Sequence, residues 1–261
     1  MQNIKAIFLK PYSKYVWIGI MLIAWEAIAK LTPVSPLAFP SLEAVVAALI
    51  NSILTGDILL QMLFSLGLIF VGLVIGVLLS FVMSALSVVS PVFESFVDTC
   101  VSIFHPLPGI ALLPLIILWI GTGSKAILFI IVHSVLWPMI LNMTAGFKSI
   151  PVVYKKIGQN YEFSNAKIIF KIYIPASMPY LIAGLKIGWA RAWRASISAE
   201  MIFGASGGIG GIGWYIFNKR VFMDTAGIFA GLLVIIVVGM LVEDFIFSKI
   251  EDRTVKKWGL S

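Results

Sequence analysis

The chain has 261 residues, of which 60% are hydrophobic and 12% charged, with a mean hydropathy of +1.04 and a formal net charge of +7. Soluble domains carry about 25% charged residues, so this composition excludes a water-soluble protein and predicts an integral membrane protein. The sequence shows no basic face interleaved with aromatic residues, so we expect no nucleic-acid partner. A single cysteine, Cys100, excludes an internal disulfide and a thiolate metal site.

The N-terminal region, residues 1–57, is predicted to hold one transmembrane helix and an extracytoplasmic amphipathic segment. The first apolar run, residues 15–31, includes Glu26, and Lys30 lies one helical turn onward, where it can pair with that carboxylate. Three prolines in the sequence LTPVSPLAFPS then end the helix. Ser41 is placed to cap a short amphipathic helix with the sequence LEAVVAALINSIL.

The transmembrane core, residues 58–250, is predicted to supply five further transmembrane helices, making six in all. No charged residue occurs between Asp57 and Glu94, and small residues recur there at every fourth position, which lets another helix pack closely. These small residues are Gly72, Gly76, Ser80 and Ser84. Three prolines interrupt the run 96–121, and prolines at membrane depth require neighbouring helices or a polar cavity to satisfy the freed backbone groups. The remaining predicted spans are residues 126–147, 178–203 and 226–242.

Basic residues orient these helices. The segments 1–14, 147–175 and 248–261 hold three, five and four Lys or Arg residues, which is 12 of the 19 in the chain. Because basic residues concentrate in cytoplasmic loops, both termini and the 147–175 loop are predicted to be cytoplasmic. Residues 251–261 are accordingly expected to form a basic cytoplasmic tail. Together these patterns predict an all-α polytopic membrane protein.

The 147–175 loop, FKSIPVVYKKIGQNYEFSNAKIIFKIYIP, is predicted to form two short amphipathic helices at the inner surface. Tyr154, Ile157 and Tyr161 share one face of the first helix, which begins near Pro151. A second apolar stripe consists of Ala166, Ile169, Phe170 and Tyr173. Two interpretations are open: the helices lie on anionic lipid, or their apolar stripe docks into a groove on a cytoplasmic partner.

Four charged residues lie within the fifth predicted span, where each costs about 2.5–3.5 kcal/mol at the bilayer centre. Lys186 is near the inner end and is expected to reach the interface by snorkelling. In one interpretation Arg194 lines a pathway whose field favours an anion, and in the other it forms a salt bridge with Glu200 or Glu26. The predicted pathway residues are Arg191, Arg194, Ser198, Glu200, His105 and Pro108.

Two other features receive structural interpretations. His105 and His133 are interpreted as packed histidines, because two isolated histidines do not make a metal site, and we expect no bound metal.

The stretch GASGGIGGIGWYIF has the G-x-G-x-x-G spacing at Gly208, Gly210 and Gly213. That spacing binds a dinucleotide only after a β-strand in a βαβ unit. Here it follows a predicted membrane helix, so we interpret it as a coincidental match in a flexible or tightly turned extracellular loop.

Several stretches resemble the permeases of binding-protein-dependent ABC importers of type I. The 147–175 loop is similar to their cytoplasmic loop E-A-A-x3-G-x9-I-x-L-P when its end is aligned with Ile174 and Pro175. Lys156, Ile157 and Gly158 then replace E-A-A, and Glu162 replaces the glycine. Five further stretches of the chain resemble the nitrate, sulfonate and taurine branch of these permeases. They are FPSLEAVVAAL, LPGIALLPLIILWIGTGSK, IPASMPYLIAGLKIGWARAW, SAEM and EDRTVKKWG.

The resemblance implies the type I ABC importer transmembrane-domain fold, a bacterial inner-membrane location and a role as permease subunit. It implies a second permease copy, a dimer of ATPase subunits that binds ATP and Mg²⁺, and an extracytoplasmic solute-binding protein. The solute would be a small organic or inorganic anion such as a sulfonate, taurine or nitrate. The sequence lacks a G-x-x-x-x-G-K-[ST] phosphate loop, so we expect neither an enzyme nor a cofactor in this chain.

The resemblance also assigns ATPase coupling to the 147–175 loop. Because Glu162 replaces the glycine bend, we expect Ser164 to cap the second helix. The predicted coupling residues are Tyr154, Lys156, Ile157, Tyr161, Glu162, Phe163, Ser164, Ala166, Ile169, Phe170, Ile174 and Pro175. The alternative function is a stand-alone secondary transporter or channel, for which midplane carboxylates and a complete internal repeat would be expected.

Overall fold

The computed structural model describes residues 13–204 and 210–256, and within these ranges the chain is helical with no β-strand. The predicted all-α class is therefore confirmed. The basic residues Lys5 and Lys10, Gly208 and the tail from residue 257 lie outside the described residues. The helices are α1 (Ser13–Leu31), α2 (Leu42–Leu54), α3 (Asp57–Val89), α4 (Pro91–Phe104), α5 (Leu113–Ile120), α6 (Ser124–Lys148), α7 (Val152–Asn160), α8 (Asn165–Ile168), α9 (Met178–Phe203), α10 (Ile212–Val221) and α11 (Thr225–Leu241).

Two of these helices continue into π-helical turns. After α8 the chain runs through a π-helical stretch, Ile169–Tyr173, and a last helical turn, Ile174–Ala176; we call α8 with these two pieces the α8 segment. Helix α11 likewise continues through further helical turns as far as Lys256. A short 3-10 turn, Gly109–Leu112, precedes α5.

Five of the six predicted spans are supported by length and composition in the described part of the chain. Helices α3, α6 and α11 are each long and apolar enough to cross a bilayer. Two bent pairs also qualify: α4 with Gly109–Ile120, bent by 85°, and Ala166–Ala176 with α9, bent by 71°. Helix α1 has 19 residues, but every 18-residue stretch of it includes Lys14, Glu26 and Lys30. Its passage through the membrane stays a prediction.

The described residues fall into two compact units. The smaller unit combines the chain up to Leu60 with Tyr215–Val234, and the larger unit combines Gln61–Trp214 with the chain from Ile235 onward. The division predicted from the sequence has boundaries at residues 57 and 250, so each predicted region is one continuous stretch. The smaller unit instead combines two separate stretches of the chain. Every candidate site residue lies in the larger unit.

In the smaller unit, two interactions that the sequence predicts lie on either side of the connection from α1 to α2. The Glu26 carboxylate pairs with Lys30 at 2.7 Å and also accepts a hydrogen bond from the Leu42 backbone N–H at 2.8 Å. The Ser41 Oγ accepts a hydrogen bond from the Ala44 N–H at 3.3 Å and caps α2. Both predictions are confirmed, and the hydrogen bond from the Leu42 N–H to Glu26, which the sequence did not predict, ties α1 to the start of α2.

In the larger unit, the small-residue face of α3 packs against α6. A Cβ atom on Gly76 would lie 2.8 Å from Cγ1 of Val135, and Gly72 allows the same close approach one turn earlier. One turn later the Ser80 hydroxyl donates to the Leu136 carbonyl across the interface at 3.1 Å. Within a bilayer, close approach and interhelical hydrogen bonds replace the hydrophobic effect as the driving force. The predicted helix-packing face is confirmed.

Helix α6 forms the buried centre of this unit. Met139, Met143 and Phe147 on one side of it are almost fully buried and pack against side chains of α3, the α8 segment and α9. Helices α6 and α9 are in extensive contact. Helix α9 is therefore packed closely along α6.

Candidate functional site

The larger unit contains a cavity of about 460 Å³ beside the break between α4 and α5. We call it the arginine cavity. Five of the six predicted pathway residues line it: His105, Pro108, Arg191, Arg194 and Ser198. The other lining residues are Pro106, Leu107, Gly109, Ile110, His133, Ser134, Trp137 and Ala195. The fold thus brings the proline-rich break and the charged face of α9 to one place.

The proline-rich break shapes one wall of the cavity. Pro106 and Pro108 have no backbone N–H, so a continuous helix cannot be hydrogen-bonded through them. The chain instead turns by 85° between α4 and α5. Gly109 follows, and a Cβ atom there would lie 3.0 Å from the Ser134 hydroxyl and 3.3 Å from a methyl carbon of Ile130. The absent side chain therefore lets the turn approach α6 closely.

Arg191 and His105 form a hydrogen bond across the arginine cavity, with 3.3 Å between Nη2 and Nε2. A guanidinium group can only donate hydrogen bonds, so Nε2 of His105 accepts and its proton resides on Nδ1. His105 is half-buried and lines the cavity. The interpretation of His105 as a packed core histidine is therefore incomplete, because its ring also contacts Arg191, another predicted pathway residue.

Arg194 is exposed at the arginine cavity, and its Nε donates to the Ala190 carbonyl at 3.0 Å. Within residues 13–204 and 210–256, no carboxylate lies within ion-pair distance of this guanidinium. The interpretation of Arg194 as half of a salt bridge with Glu200 or Glu26 is wrong, since Glu26 pairs with Lys30 and Glu200 has other partners.

Glu200, unlike the other five predicted pathway residues, is fully buried and does not line the arginine cavity. Its carboxyl group accepts hydrogen bonds from the Ser65 hydroxyl at 2.8 Å, the Ser196 hydroxyl at 2.9 Å and the Gly213 N–H at 2.9 Å. Six residues separate it from Arg194, which places it about 240° around the helix axis. Arg194 and Glu200 therefore face different surroundings, although both belong to α9.

The glycine-rich stretch packs against this buried carboxyl group. A Cβ atom on Gly213 would lie 2.8 Å from the Cβ of Glu200, so the start of α10 reaches Glu200 only because residue 213 is glycine. The N-terminal end of a helix favours a negatively charged partner. No β-strand precedes the stretch in the described residues. The G-x-G-x-x-G spacing serves packing at its described end, consistent with the interpretation that its match to a dinucleotide loop is coincidental.

Two lining residues on α6, His133 and Trp137, were not among the predicted pathway residues. His133 meets Trp137 edge-on, with ring centroids 5.9 Å apart, and Trp137 stacks on Phe104 at 5.2 Å. Residues four apart share one face of a helix, so the spacing of His133 and Trp137 already indicated that both side chains lie on the same face of α6. No group of three metal-ligating side chains comes together in the described ranges.

The 147–175 loop forms two short helical pieces, as predicted. Gly158 in α7 is buried against the α8 segment, and a Cβ atom there would lie 2.8 Å from Ile172 and 3.0 Å from Ile168. The predicted stripe on α7 is open to solvent: Tyr154, Ile157 and Tyr161 are 49%, 43% and 72% exposed. Helix α7 therefore packs on the rest of the chain through one glycine and leaves its large apolar side chains uncovered.

The bend after α7 is a Schellman motif with glutamate at the position that usually holds glycine. The Phe163 N–H donates to the Gly158 carbonyl, and the Glu162 N–H donates to the Gln159 carbonyl, both at 2.9 Å. Glu162 has a φ of 56°, in the left-handed region. The chain therefore bends where the glycine of the resembled loop would lie, although this residue is not glycine.

Ser164 begins the α8 segment as predicted, because its Oγ accepts a hydrogen bond from the Lys167 N–H at 3.3 Å. The apolar stripe of this segment is divided between two surroundings. Phe170 is 62% exposed, whereas Ile169 and Tyr173 line a second cavity of about 270 Å³ inside the larger unit. An ATPase-coupling role for these residues stays a prediction.

Replacing Glu162 with glycine is expected to stabilise the protein by about 1 kcal/mol, because the left-handed conformation costs a residue with a Cβ atom roughly 1–2 kcal/mol. Thermal unfolding of the purified protein measures the change. Gln159→Gly, in the regular part of α7, is the matched control and is expected to destabilise by about 1 kcal/mol. A Glu162→Gly protein no more stable than the parent would contradict the strain at this position.

Lys186 forms an ion pair that the sequence did not predict. The sequence predicts snorkelling to the interface, whereas the structure pairs Lys186 with Glu251 in the continuation of α11. Lys148 at the end of α6 pairs with Glu94 at the start of α4. Each pair joins helices that are distant in sequence, which a local pattern does not reveal.

These features describe a polytopic helical membrane protein with a donor-lined cavity and an exposed short helix at one end. The sequence profile of the binding-protein-dependent transport system inner membrane component matches residues 72–256, and the chain belongs to this family. It is a permease subunit of a type I ABC importer. The match decides against a stand-alone secondary transporter or channel.

Two permeases of known name are similar to this chain in sequence, and one solved transporter structure is similar to it in fold. It is 27% identical over 263 residues to the protein of Bacillus subtilis (strain 168) named as an aliphatic sulfonates transport permease protein, SsuC, covering 98% of this chain and 93% of the relative. It is 25% identical over 231 residues to the taurine transport system permease protein TauC of Escherichia coli (strain K12), covering 87% and 82%. The inward-facing MetNI methionine ABC transporter shares the fold, with a TM-score of 0.56 and 15% identity over 71% of this chain and 92% of that one.

Proposed function

We propose that two copies of this permease form a translocation pathway for a small anion, with Arg191 and Arg194 providing its electrostatic field. One observation carries the proposal: the side chains that line the arginine cavity include two guanidinium groups and two serine hydroxyls but no carboxylate. Charged N–H donors bind oxyanions strongly. Coulomb attraction also increases where protein and lipid lower the dielectric constant. The relatives named for sulfonate and taurine transport handle solutes with an anionic sulfonate group.

In this proposal a separate ATPase subunit docks on α7 and supplies the energy for transport. The exposed apolar side chains of α7 give it a surface to bind. Because Gly158 packs directly on the α8 segment, a displacement of α7 is passed to that segment. Tyr173 then contacts Phe147 of α6, with ring centroids 6.0 Å apart, which links the segment to the wall of the transmembrane core. ATP and Mg²⁺ are bound by the ATPase, and this chain needs no cofactor of its own.

The same proposal sets the orientation and the remaining partner. Helix α7 and both termini face the cytoplasm of a bacterial inner membrane, where the basic residues of the 147–175 loop belong. A solute-binding protein delivers the anion to the opposite side. Selectivity is then shared between that protein, which selects the solute, and the arginine cavity, which selects its charge.

Changing Arg194 to glutamine is expected to lower uptake about tenfold or more, because a hydrogen bond to a charged group contributes about 1.5–3 kcal/mol. The measurement is uptake of taurine and of an alkanesulfonate into proteoliposomes that contain the permease, its ATPase and its solute-binding protein, with ATP hydrolysis followed in parallel. Arg220→Gln makes the same change at an exposed residue of α10 that does not line the cavity, and is expected to transport normally. Normal uptake by the Arg194→Gln protein would end the pathway proposal.

A further inference from the structure

Helix α4 has polar side chains on an outward face. Four of them, all exposed, follow one another at spacings of three and four residues, which places them on one side of the helix. They are Ser95, Asp98, Thr99 and Ser102, and we call them the polar strip. All four line an open cavity of about 470 Å³. Beside them the exposed residues Val92 and Phe96 are apolar, so the outward surface of α4 is divided lengthwise into a polar half and an apolar half.

Helix α4 carries the polar strip to the depth of the middle of α6. Glu94 in its first turn pairs with Lys148 at the end of α6. Further along, buried valines of α4 pack with Ile140. At the far end Phe104 stacks on Trp137. The two helices therefore run antiparallel and side by side, and α6 is long and apolar enough to cross a bilayer.

Lipid is an unfavourable neighbour for the polar strip. A carboxylate in the hydrocarbon region is costly, so charged residues within membrane spans face a protein partner or a water-filled cavity. Asp98 has no ion-pair partner in the part of the chain that the structure describes. The apolar half of α4 suits lipid, whereas the polar half requires water or a second protein surface.

Two observations favour water over a dry protein contact. The polar strip leads along the chain to His105 and Pro106, which line the arginine cavity, so it continues a space that is already open. In addition, the hydroxyls of Thr99 and Ser102 donate to backbone carbonyls of α4, each at 2.8 Å, and present acceptor oxygens outward, as Asp98 does. A two-fold contact brings the same patch of both copies together. It would set these acceptors against each other, whereas water can donate to all of them.

We infer that the polar strip faces water and forms the branch of the translocation pathway that leads from the arginine cavity to the cytoplasm. The inference rests on the proposed function, which puts the arginine cavity on the pathway and the α7 end of α6 in the cytoplasm. The cavity offers an anion charged donors, whereas the strip offers mainly acceptor oxygens and the negative charge of Asp98. A transported solute must be held weakly enough to leave. This branch does not retain the anion and so releases it.

The test measures the reaction of single cysteines with membrane-impermeant thiol reagents. Cys100 is the only cysteine in the chain, so Cys100→Ser is the background for Ser102→Cys on the polar strip and Phe96→Cys on the apolar half. The whole importer in inside-out vesicles is treated, with and without ATP, with anionic 2-sulfonatoethyl or cationic 2-trimethylammonioethyl methanethiosulfonate. Phe96 lies six residues, about 9 Å along the axis, nearer to the cytoplasmic end. Ser102→Cys is nevertheless expected to react about tenfold faster or more, because a thiol ionises in water but not in lipid.

Two further measurements connect the polar strip with the anion. Adding Asp98→Asn to Ser102→Cys is expected to lower the ratio of the cationic to the anionic reaction rate about threefold or more, because Asp98 lies four residues away on the same face. Complete reaction of Ser102→Cys is expected to lower taurine uptake into proteoliposomes about tenfold or more, since the added group obstructs the branch. Reaction of Phe96→Cys is expected to leave uptake unchanged.

Other results overturn the inference. Slow reaction of both cysteines would exclude water from the polar strip, and a disulfide between two Ser102→Cys copies would then place it against the second copy. Fast reaction of both would put α4 wholly in water. An unchanged rate ratio with Asp98→Asn, or unchanged uptake after Ser102→Cys has reacted, would separate the strip from the path of the anion.

The uptake of the Arg194→Gln protein separates this inference from the proposed function. If Ser102→Cys does not react while Arg194→Gln lowers uptake, the exit branch fails and the proposed function stands. If Arg194→Gln transports normally, the proposed function itself fails.

Discussion

Replacing Ile157 with aspartate is expected to abolish ATP-dependent uptake while leaving the permease folded. Ile157 is 43% exposed in the isolated chain, so a carboxylate there remains solvated and folding is little affected. Against an ATPase groove the same carboxylate would be buried without a partner, at a cost of about 3–5 kcal/mol. The dissociation constant for the ATPase should therefore rise more than about 100-fold. Co-purification with the ATPase and uptake into proteoliposomes measure the two consequences.

The matched control for this change is Ile53→Asp. Ile53 in α2 is also 43% exposed, and the topology predicted from the sequence places α2 on the extracytoplasmic side. This protein is expected to bind the ATPase as the parent does. Retention of the ATPase by Ile157→Asp at the parent's affinity would show that α7 is not the docking surface.

Replacing Glu200 with alanine is expected to cause the largest loss of stability, about 3 kcal/mol or more. The change leaves two serine hydroxyls and the Gly213 N–H without their acceptor in a fully buried place. Each buried polar group left unpaired costs about 1–3 kcal/mol. Heating the detergent-solubilised protein and measuring the fraction that stays monodisperse reports the loss as a lower midpoint temperature.

Two further substitutions separate this network from a general effect of losing a charge. Asp98→Ala removes an exposed carboxylate from α4 and is expected to change stability by less than about 0.5 kcal/mol. Glu200→Gln keeps one acceptor oxygen and is expected to fall between Glu200→Ala and the parent. An alanine variant as stable as the parent would contradict a structural role for the buried carboxyl group.

Local patterns predicted the local structure well. The N-cap at Ser41, the length of α2 and the cap at Ser164 each depend on a few neighbouring residues, and all three are found in the structure. The packing face of α3 was also predictable, because a four-residue spacing of small side chains needs no knowledge of the helix that covers it. That helix, α6, became known only from the fold.

Long-range arrangements were predicted less well. Glu200 and Arg194 share one span, and their separation of six residues already places them on different faces of a helix. The sequence cannot show, however, that Ser65 and Gly213 would meet Glu200 from 135 and 13 residues away. The contribution of His133 and Trp137 to the arginine cavity has the same origin, because it depends on the 85° break that brings His105 beside α6.

The arginine cavity also bears on how the host cell conserves energy. Its side chains, all within the described residues, present two positive groups and no negative one. A hydronium or alkali-metal ion that entered would be repelled by both guanidinium groups, in surroundings where charges are poorly screened. In the translocation pathway that we propose, the same charges would admit a nutrient anion and resist leakage of the cations whose gradients power the cell, so an idle importer would not drain the proton-motive force.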